Sequence, residues 1–244
     1  MRTIDLNCDL GEGFPHDAEL TALVSSVNVA CGGHAGDETT MRSAVRLAAA
    51  AGVNVGAHPG YEDREHFGRA EVSLSPREVR ELIRRQIDRL HAIARAEGVA
   101  LRHVKPHGAL YHAAARDAAI AGAIIDGIDD ESLAVVGPPA GEFITAAARA
   151  GRRYLREGFI DRRYRPDGTL VSRGRAGAVL VDAAEAARQA TTLAINSRVV
   201  DDEGGTLELK VDTLCVHGDG PAACEVLRLA RNALQQAGVR IAPA

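Results

Sequence analysis

The sequence predicts an α/β fold, a variant (β/α) barrel of about seven strands forming one domain over residues 1–244. Three observations lead there. Short β-like runs alternate with longer Ala-rich helical runs, which implies a mainly parallel sheet with helices outside it. On five strands one side-chain phase is apolar while the other carries Asp, Asn, His or Lys. The densest chemistry falls at the C-terminal ends of the strands, the rim on which βα barrels build their sites.

Strands are expected near 3–9, 25–31, 53–58, 101–106, 133–137, 152–157 and 212–217. Helices are expected near 38–51, 75–97, 116–128, 139–150, 182–196 and 220–237. Asp37 stands as a cap before the first helix, and Ser75-Pro76 opens the second with Pro at its first position. Gly52, Gly98, Gly151 and Gly238 follow four helices, where a left-handed residue is needed. The stretch 159–180 turns at Pro166-Asp167-Gly168 and reads as an excursion folded over one end of the domain. Residues 198–211 read as a hairpin around Gly204-Gly205.

The phases choose between a doubly wound sheet and a barrel. In the first strand Ile4, Leu6 and Cys8 oppose Asp5, Asn7 and Asp9; in the second, Val27 and Val29 oppose Ser26 and Asn28. In the third, Val53, Val55 and Ala57 oppose Asn54, Gly56 and His58. His103, Lys105 and His107 share a phase in the fourth, and Thr213, Cys215 and His217 in the last. A sheet covered on both faces would bury these groups dry, at roughly several kcal/mol per unpaired charge. A polar lumen open at one end lets them pair with one another and with a ligand.

Composition narrows the partners. Hydrophobic residues make up 46% of the chain but aromatics only 3%, with no Trp, so the core is built from Ala, Val, Leu and Ile. The net charge of −4 and the Glu and Asp interleaved with Arg over 77–89 speak against nucleic acid or an anionic membrane as partner. The opening "MRTIDLNCDL" has no long apolar run, so neither a signal peptide nor a membrane span is expected there. Four widely spaced cysteines without a CxxC pair predict no structural zinc and a reduced, cytoplasmic setting.

Five stretches carry the chemistry. "DLNCDLGEG" gathers Asp5, Asn7, Asp9 and Glu12, suited to acid–base work or to binding a cation. "VNVACGGHAGD" delivers Asn28 to the lumen and His34 and Asp37 to the rim. Its Gly32–Gly36 loop leads into a helix N-terminus, which reads equally as an anion contact or as a glycine turn capped by Asp37. His58 ends the third strand, where a structural role is the commoner one, and His66 and Arg69 follow in a lid-like loop. "HVKPHGALYHAA" places Lys105 in an apolar strand, where it must be paired or have a depressed pKa, with His107 in the same phase. Pro106 rules out a helical zinc pair of His103 and His107. Glu157 ends the sixth strand, and "CVHGDGPAA" sets His217 and Asp219 before a helix start at Pro221. Cys31 and Cys215 read as buried small hydrophobes rather than nucleophiles.

Together, "DLNCDLGEGF", "VNVACGGHAGD", "VGAHPGY", "FGR", "HVKPHGALY", "FIDRRYRPDGTLVSR" and "CVHGD" resemble the LamB/YcsF family over nearly the whole chain. The resemblance implies a variant barrel of the glycoside hydrolase/deacetylase type. It implies cleavage of the cyclic amide of 5-oxo-L-proline to L-glutamate with consumption of ATP, together with B and C partner subunits. Mg2+ is expected with the ATP, and no tightly bound metal. By residue type, Asp9 or Glu12 would be general base or magnesium ligand, and Lys105 would stabilise an oxyanion or phosphoryl group. His34, His107 and His217 would position substrate or move protons, and the Gly32–Gly36 loop would touch an anion. Asn7, Asn28, Asp37, His58 and Asp219 complete the expected binding set. One departure is Gly33, where the family usually has Phe, and it predicts a looser loop. Two rivals share the barrel: a metal-dependent deacetylase or amide hydrolase with Asp9, His58, His107 and His217 as ligands, and a non-catalytic protein that binds a sugar or small acid.

Overall fold

The computed structural model describes residues 2–220 and 222–244, so the helix start expected at Pro221 lies outside the described residues. Seven parallel strands close into a barrel: β1 (Thr3–Leu10), β2 (Ser26–Ala30), β3 (Asn54–His58), β4 (Leu101–Val104), β5 (Ala134–Gly137), β6 (Tyr154–Phe159) and β9 (Thr213–Val216). Each pairs with the next, and β9 closes the ring against β1, with Asn7 beside Cys215. A short antiparallel hairpin of β7 (Arg198–Val200) and β8 (Thr206–Glu208) sits at the expected Gly204-Gly205 turn. The two-residue strand β10 (Arg240–Ile241) pairs with the start of β1.

The outer phase of the strands supplies the core. Leu6, Cys8, Val27, Val29, Val55 and Leu214 are fully buried or nearly so. Over them lie the helices α1 (Asp17–Thr21), α2 (Glu38–Ala51), α3 (Pro76–Ala96), α4 (Gly108–Arg116), α5 (Ala118–Asp126), α6 (Glu142–Arg149), α7 (Ala183–Asn196) and α8 (Ala223–Gln236). α3 shows the logic: Val79, Leu82, Ile83, Ile87, Leu90 and Ile93 recur at three- and four-residue spacing and are all buried. Each such side chain contributes about 1.5–3 kcal/mol relative to exposure. Capping boxes at Asp37 and Ser75 start α2 and α3, and Gly52, Gly98, Gly151 and Gly238 all take positive φ. Among the described residues no helix is long and apolar enough to cross a membrane.

Besides shifts of one to three residues elsewhere, such as β6 running two residues past Glu157, three differences from expectation have a local cause. β4 stops at Val104, because Pro106 lacks the N–H a ladder needs. The helix expected over 116–128 is two helices, α4 beginning already at Gly108. Asp117 separates them with extended backbone, its side chain accepting from Ala119 and Ile120. The helix expected from 139 starts at Glu142, behind Gly141 at φ 107°.

The strand register lines up Asp9, Asn28, Gly56 and His103 on four neighbouring strands. Gly56 is what makes the level fit: a Cβ there would lie 2.2 Å from His103 Nε2. Gly56→Ala is therefore expected to lower stability in urea by about 1–3 kcal/mol, with part recovered in Gly56→Ala/His103→Ala.

Candidate active site

Inside the barrel the polar phases form one bonded network. At its closed end Asp5 accepts from the hydroxyls of Ser25, Ser26 and Thr213 at 2.6–2.7 Å. Asn7 donates to Thr213 at 2.6 Å and to Glu157 at 3.2 Å, and accepts from Asn28 at 2.8 Å. Asn28 also donates to Asp9 at 2.8 Å and accepts from His103 Nε2 at 2.7 Å. Lys105 stands above them. Its Nζ lies 2.9 Å from Glu157, 3.0 Å from Asp9 and 3.1 Å from Cys215 Sγ. Of the two states the sequence allows Lys105, paired or pKa-depressed, the structure shows the paired one. Burial works against its charge, but Asp9, Cys215 and Glu157 outweigh that and hold its pKa well above the ordinary value. Asp9 is held well below its ordinary value, since His58 and Lys105 overcome the opposing effect of burial.

Nearer the mouth, Glu12, His34, His58 and His107 come together. His34 Nε2 is 3.2 Å from Glu12 Oε1, and the His34 and His107 rings stack 3.7 Å apart. His58 Nδ1 donates to the Lys105 carbonyl at 2.7 Å, and His107 Nε2 to the Phe67 carbonyl at 2.9 Å. Phe67 presents that carbonyl from φ 57°, a left-handed conformation that costs a non-glycine residue roughly 1–3 kcal/mol. Burial pushes His34 down to about 2 and His103 to about 3, so both are neutral imidazoles at physiological pH. Burial, reinforced by Asp9, pushes Glu12 well above the carboxylate range.

A cavity of about 700 Å³ opens above Lys105 and His107, and its walls are cationic. Asp219 accepts from Arg69 at 2.6 Å and from Arg173 at 2.7 Å. Burial raises the Asp219 pKa, but Arg173 and Arg69 outweigh it and the net shift is downward. Arg162 is buried and donates to the Val171 carbonyl at 2.6 Å, leaving its Nε without a partner among the described residues, as is Arg173 Nη2. His217 Nδ1 donates to Asp161 at 2.9 Å, and the ring stacks on Phe159. Arg165, Ser172 and Arg173 belong to the 159–180 excursion, which folds over the mouth as expected.

The structure thus gathers Asn7, Asp9, Glu12, Asn28, His34, His58, Lys105, His107, His217 and Asp219 at or below one opening. His58, at a position where a structural role is the commoner one, stands within the cluster. Gly32, Gly36 and Asp37 do not line the cavity. Asp37 is the exposed cap of α2 and accepts from Thr40 N, so its carboxylate already occupies the helix end proposed for an anion. The Gly32 and Gly36 carbonyls accept from Arg64. Nor is the loop slack at Gly33: the Gln86 amide fills the space, accepting from Gly60 N at 3.1 Å and donating to Gly60 O at 2.7 Å. Cys215 is buried but faces Lys105, and burial raises its thiol pKa, as it raises that of Cys31 to about 12. The strand-end rule that flags Glu157 also applies to Asp161, just past β6. Arg162 and Arg173 sit in turn-rich sequence with no periodic signal.

The LamB/YcsF family profile matches residues 4–244. The chain belongs to the LamB/YcsF family. It is 49% identical to a protein of Symbiobacterium thermophilum named as the A subunit of 5-oxoprolinase, over 99% of this chain and 95% of that one. It is 45% identical to a protein of the same name from Pyrococcus furiosus, over 98% and 97%. Among solved structures, the lactam utilization protein of Thermus thermophilus superposes with a TM-score of 0.93 at 44% identity, over 98% of this chain and 99% of that one. The T48 deacetylase, solved with substrate, shares the barrel fold at 13% identity and a TM-score of 0.50, over 98% and 87%.

Lys105→Met would leave the Asp9 and Glu157 carboxylates buried without their cation. Urea denaturation is expected to show a loss of about 3–5 kcal/mol. Lys105→Met/Glu157→Gln should recover part of it.

Proposed function

We propose that this chain is the A subunit of an ATP-dependent 5-oxoprolinase, opening the lactam of 5-oxo-L-proline to L-glutamate together with B and C subunits in the cytoplasm. The full-length likeness to proteins named as 5-oxoprolinase A subunits carries this reading. The site's chemistry supports it. A five-membered lactam is an unactivated amide that recloses readily, so ring opening needs a driving force. ATP, with Mg2+ as its counterion, supplies one by phosphorylating the amide oxygen and coupling ring opening to phosphate release.

In this reading the free donors Arg162 Nε and Arg173 Nη2, without partners among the described residues, receive the substrate carboxylate or the phosphoryl group. Lys105, already protonated, is an electrostatic stabiliser rather than a base, and counters negative charge developing on the amide oxygen. Asp9, held ionised, serves as the base that takes a proton from water. The proton that Asp9 takes from water is passed on to the departing nitrogen. His107 and His217 orient the ring from either side of the opening. Asn7 and Asn28 keep Asp9 and Lys105 in register from below.

The test is release of glutamate and ADP from 5-oxo-L-proline and ATP, by the chain alone and with its B and C partners. Both products should form together only in the full mixture. Lys105→Ala should lower kcat/KM by roughly 100-fold or more, and Arg173→Ala should act mainly on KM. No turnover in an assembled complex would remove the proposal.

A further inference from the structure

We propose that Glu12, His58 and His107 form a binding site for one divalent transition-metal ion of the zinc type at the barrel mouth. The geometry of two imidazoles points to it. His58 Nε2 and His107 Nδ1 face each other at 2.9 Å. The other nitrogen of each ring lies against a backbone carbonyl, Lys105 O at 2.7 Å and Phe67 O at 2.9 Å. A carbonyl only accepts, so His58 Nδ1 and His107 Nε2 carry the hydrogens. With no added proton on either ring, the two facing nitrogens are then both lone pairs, and neither can donate to the other. A cation between them resolves the repulsion. An imidazole whose far N–H is fixed by a carbonyl is also the usual form of a metal-bound histidine.

A third donor converges on the same point. Glu12 Oε1 lies 3.5 Å from His107 Nδ1 and 3.8 Å from His58 Nε2. Metal–ligand bonds of about 2.0–2.2 Å bring neighbouring donor atoms to roughly 3–3.5 Å of one another, so these spacings need only a small adjustment of Glu12. Two neutral imidazoles and one carboxylate suit zinc or cobalt better than magnesium or calcium, which prefer oxygen throughout.

His34 belongs to the cluster without being a ligand. Its ring lies parallel to His107, 3° apart in angle and 3.7 Å away. An ion in the plane of the His107 ring therefore lies out of the plane of His34, where no lone pair points. His34 instead donates from Nε2 to Glu12 Oε1 at 3.2 Å, which makes it a positioning residue for the carboxylate. Asp9 Oδ2, 3.4 Å from His58 Nε2, is the nearest further oxygen, and its partner oxygen Oδ1 is already held by Asn28 and Lys105. Three protein donors leave coordination positions open toward the cavity, the pattern of a site that also binds water or substrate. This departs from the expectation that no metal is tightly held.

The competing explanation is a single proton shared between His58 and His107, with no affinity for metal. Full-length protein stripped with chelator and dialysed against Zn2+ or Co2+ separates the two. One ion per chain by elemental analysis, and visible Co2+ bands of a low-coordinate site, are expected. His58→Gln and His107→Gln should each weaken Zn2+ binding in calorimetry by roughly 100-fold or more, and His34→Gln by about 10-fold. Exposed Glu38→Gln should leave it unchanged. Circular dichroism confirms that each variant is folded. Wild-type protein that binds neither ion, or that binds both equally well after both histidine substitutions, overturns the proposal. No substrate enters the measurement, so its outcome is independent of the glutamate assay.

Discussion

The Lys105 ammonium, shared between Asp9 and Glu157 in the barrel interior, is the interaction on which the rest of the site depends. Three charges at the middle of a protein are tolerable only if each is paired and bonded. That requirement propagates downward. Asn7 and Asn28 each add a bond to one of the carboxylate oxygens that Lys105 pairs, Thr213 and the two serines satisfy Asp5, and Gly56 makes room for His103. It also propagates upward, because a fixed Lys105 backbone holds the His58 ring through its carbonyl. The lumen is a scaffold of bonds rather than a packed apolar core.

The barrel interior and its mouth have opposite characters. Below, each charge has a fixed partner. Above, Arg162 and Arg173 keep buried donors free, set on a segment that crosses the opening rather than on a strand. Such an arrangement favours a small anion that enters from the open end and completes bonds which the protein by itself does not make.

How much of this is legible in the sequence depends on range. Alternation along a strand is local, so the lumen positions of Asp5, Asn7, Asp9, Asn28 and Lys105 can be read directly, and the barrel follows from the cost of burying them in a two-sided sheet. Cap residues and C-terminal glycines act within one turn, and they stand at the expected places. What escapes depends on contacts distant in sequence. Nothing near Asp37 says that its carboxylate, rather than a ligand, fills the α2 end. Nothing near Arg162 or Arg173 reveals that their segment returns over the mouth. The pairing of His58 with His107 joins residues 49 positions apart, and the carbonyls that fix their tautomers come from Lys105, just before His107, and from Phe67 in a separate loop. At Gly33 the local pattern suggests slack, and a side chain from the outer helix α3 removes it.

That last contact ties two positions into one unit of heritable change. With Gln86 in place, a Cβ at 33 would meet its amide nitrogen and the Gly60 carbonyl, each at 2.6 Å. A bulky residue at 33 therefore requires both that the side chain at 86 be shortened or turned away and that the Gly60 backbone shift. The reverse loss, of Gln86 while Gly33 remains, opens a gap between two rim loops. The order in which substitutions arrive at this rim is constrained by an amide that touches neither the cavity nor its charges.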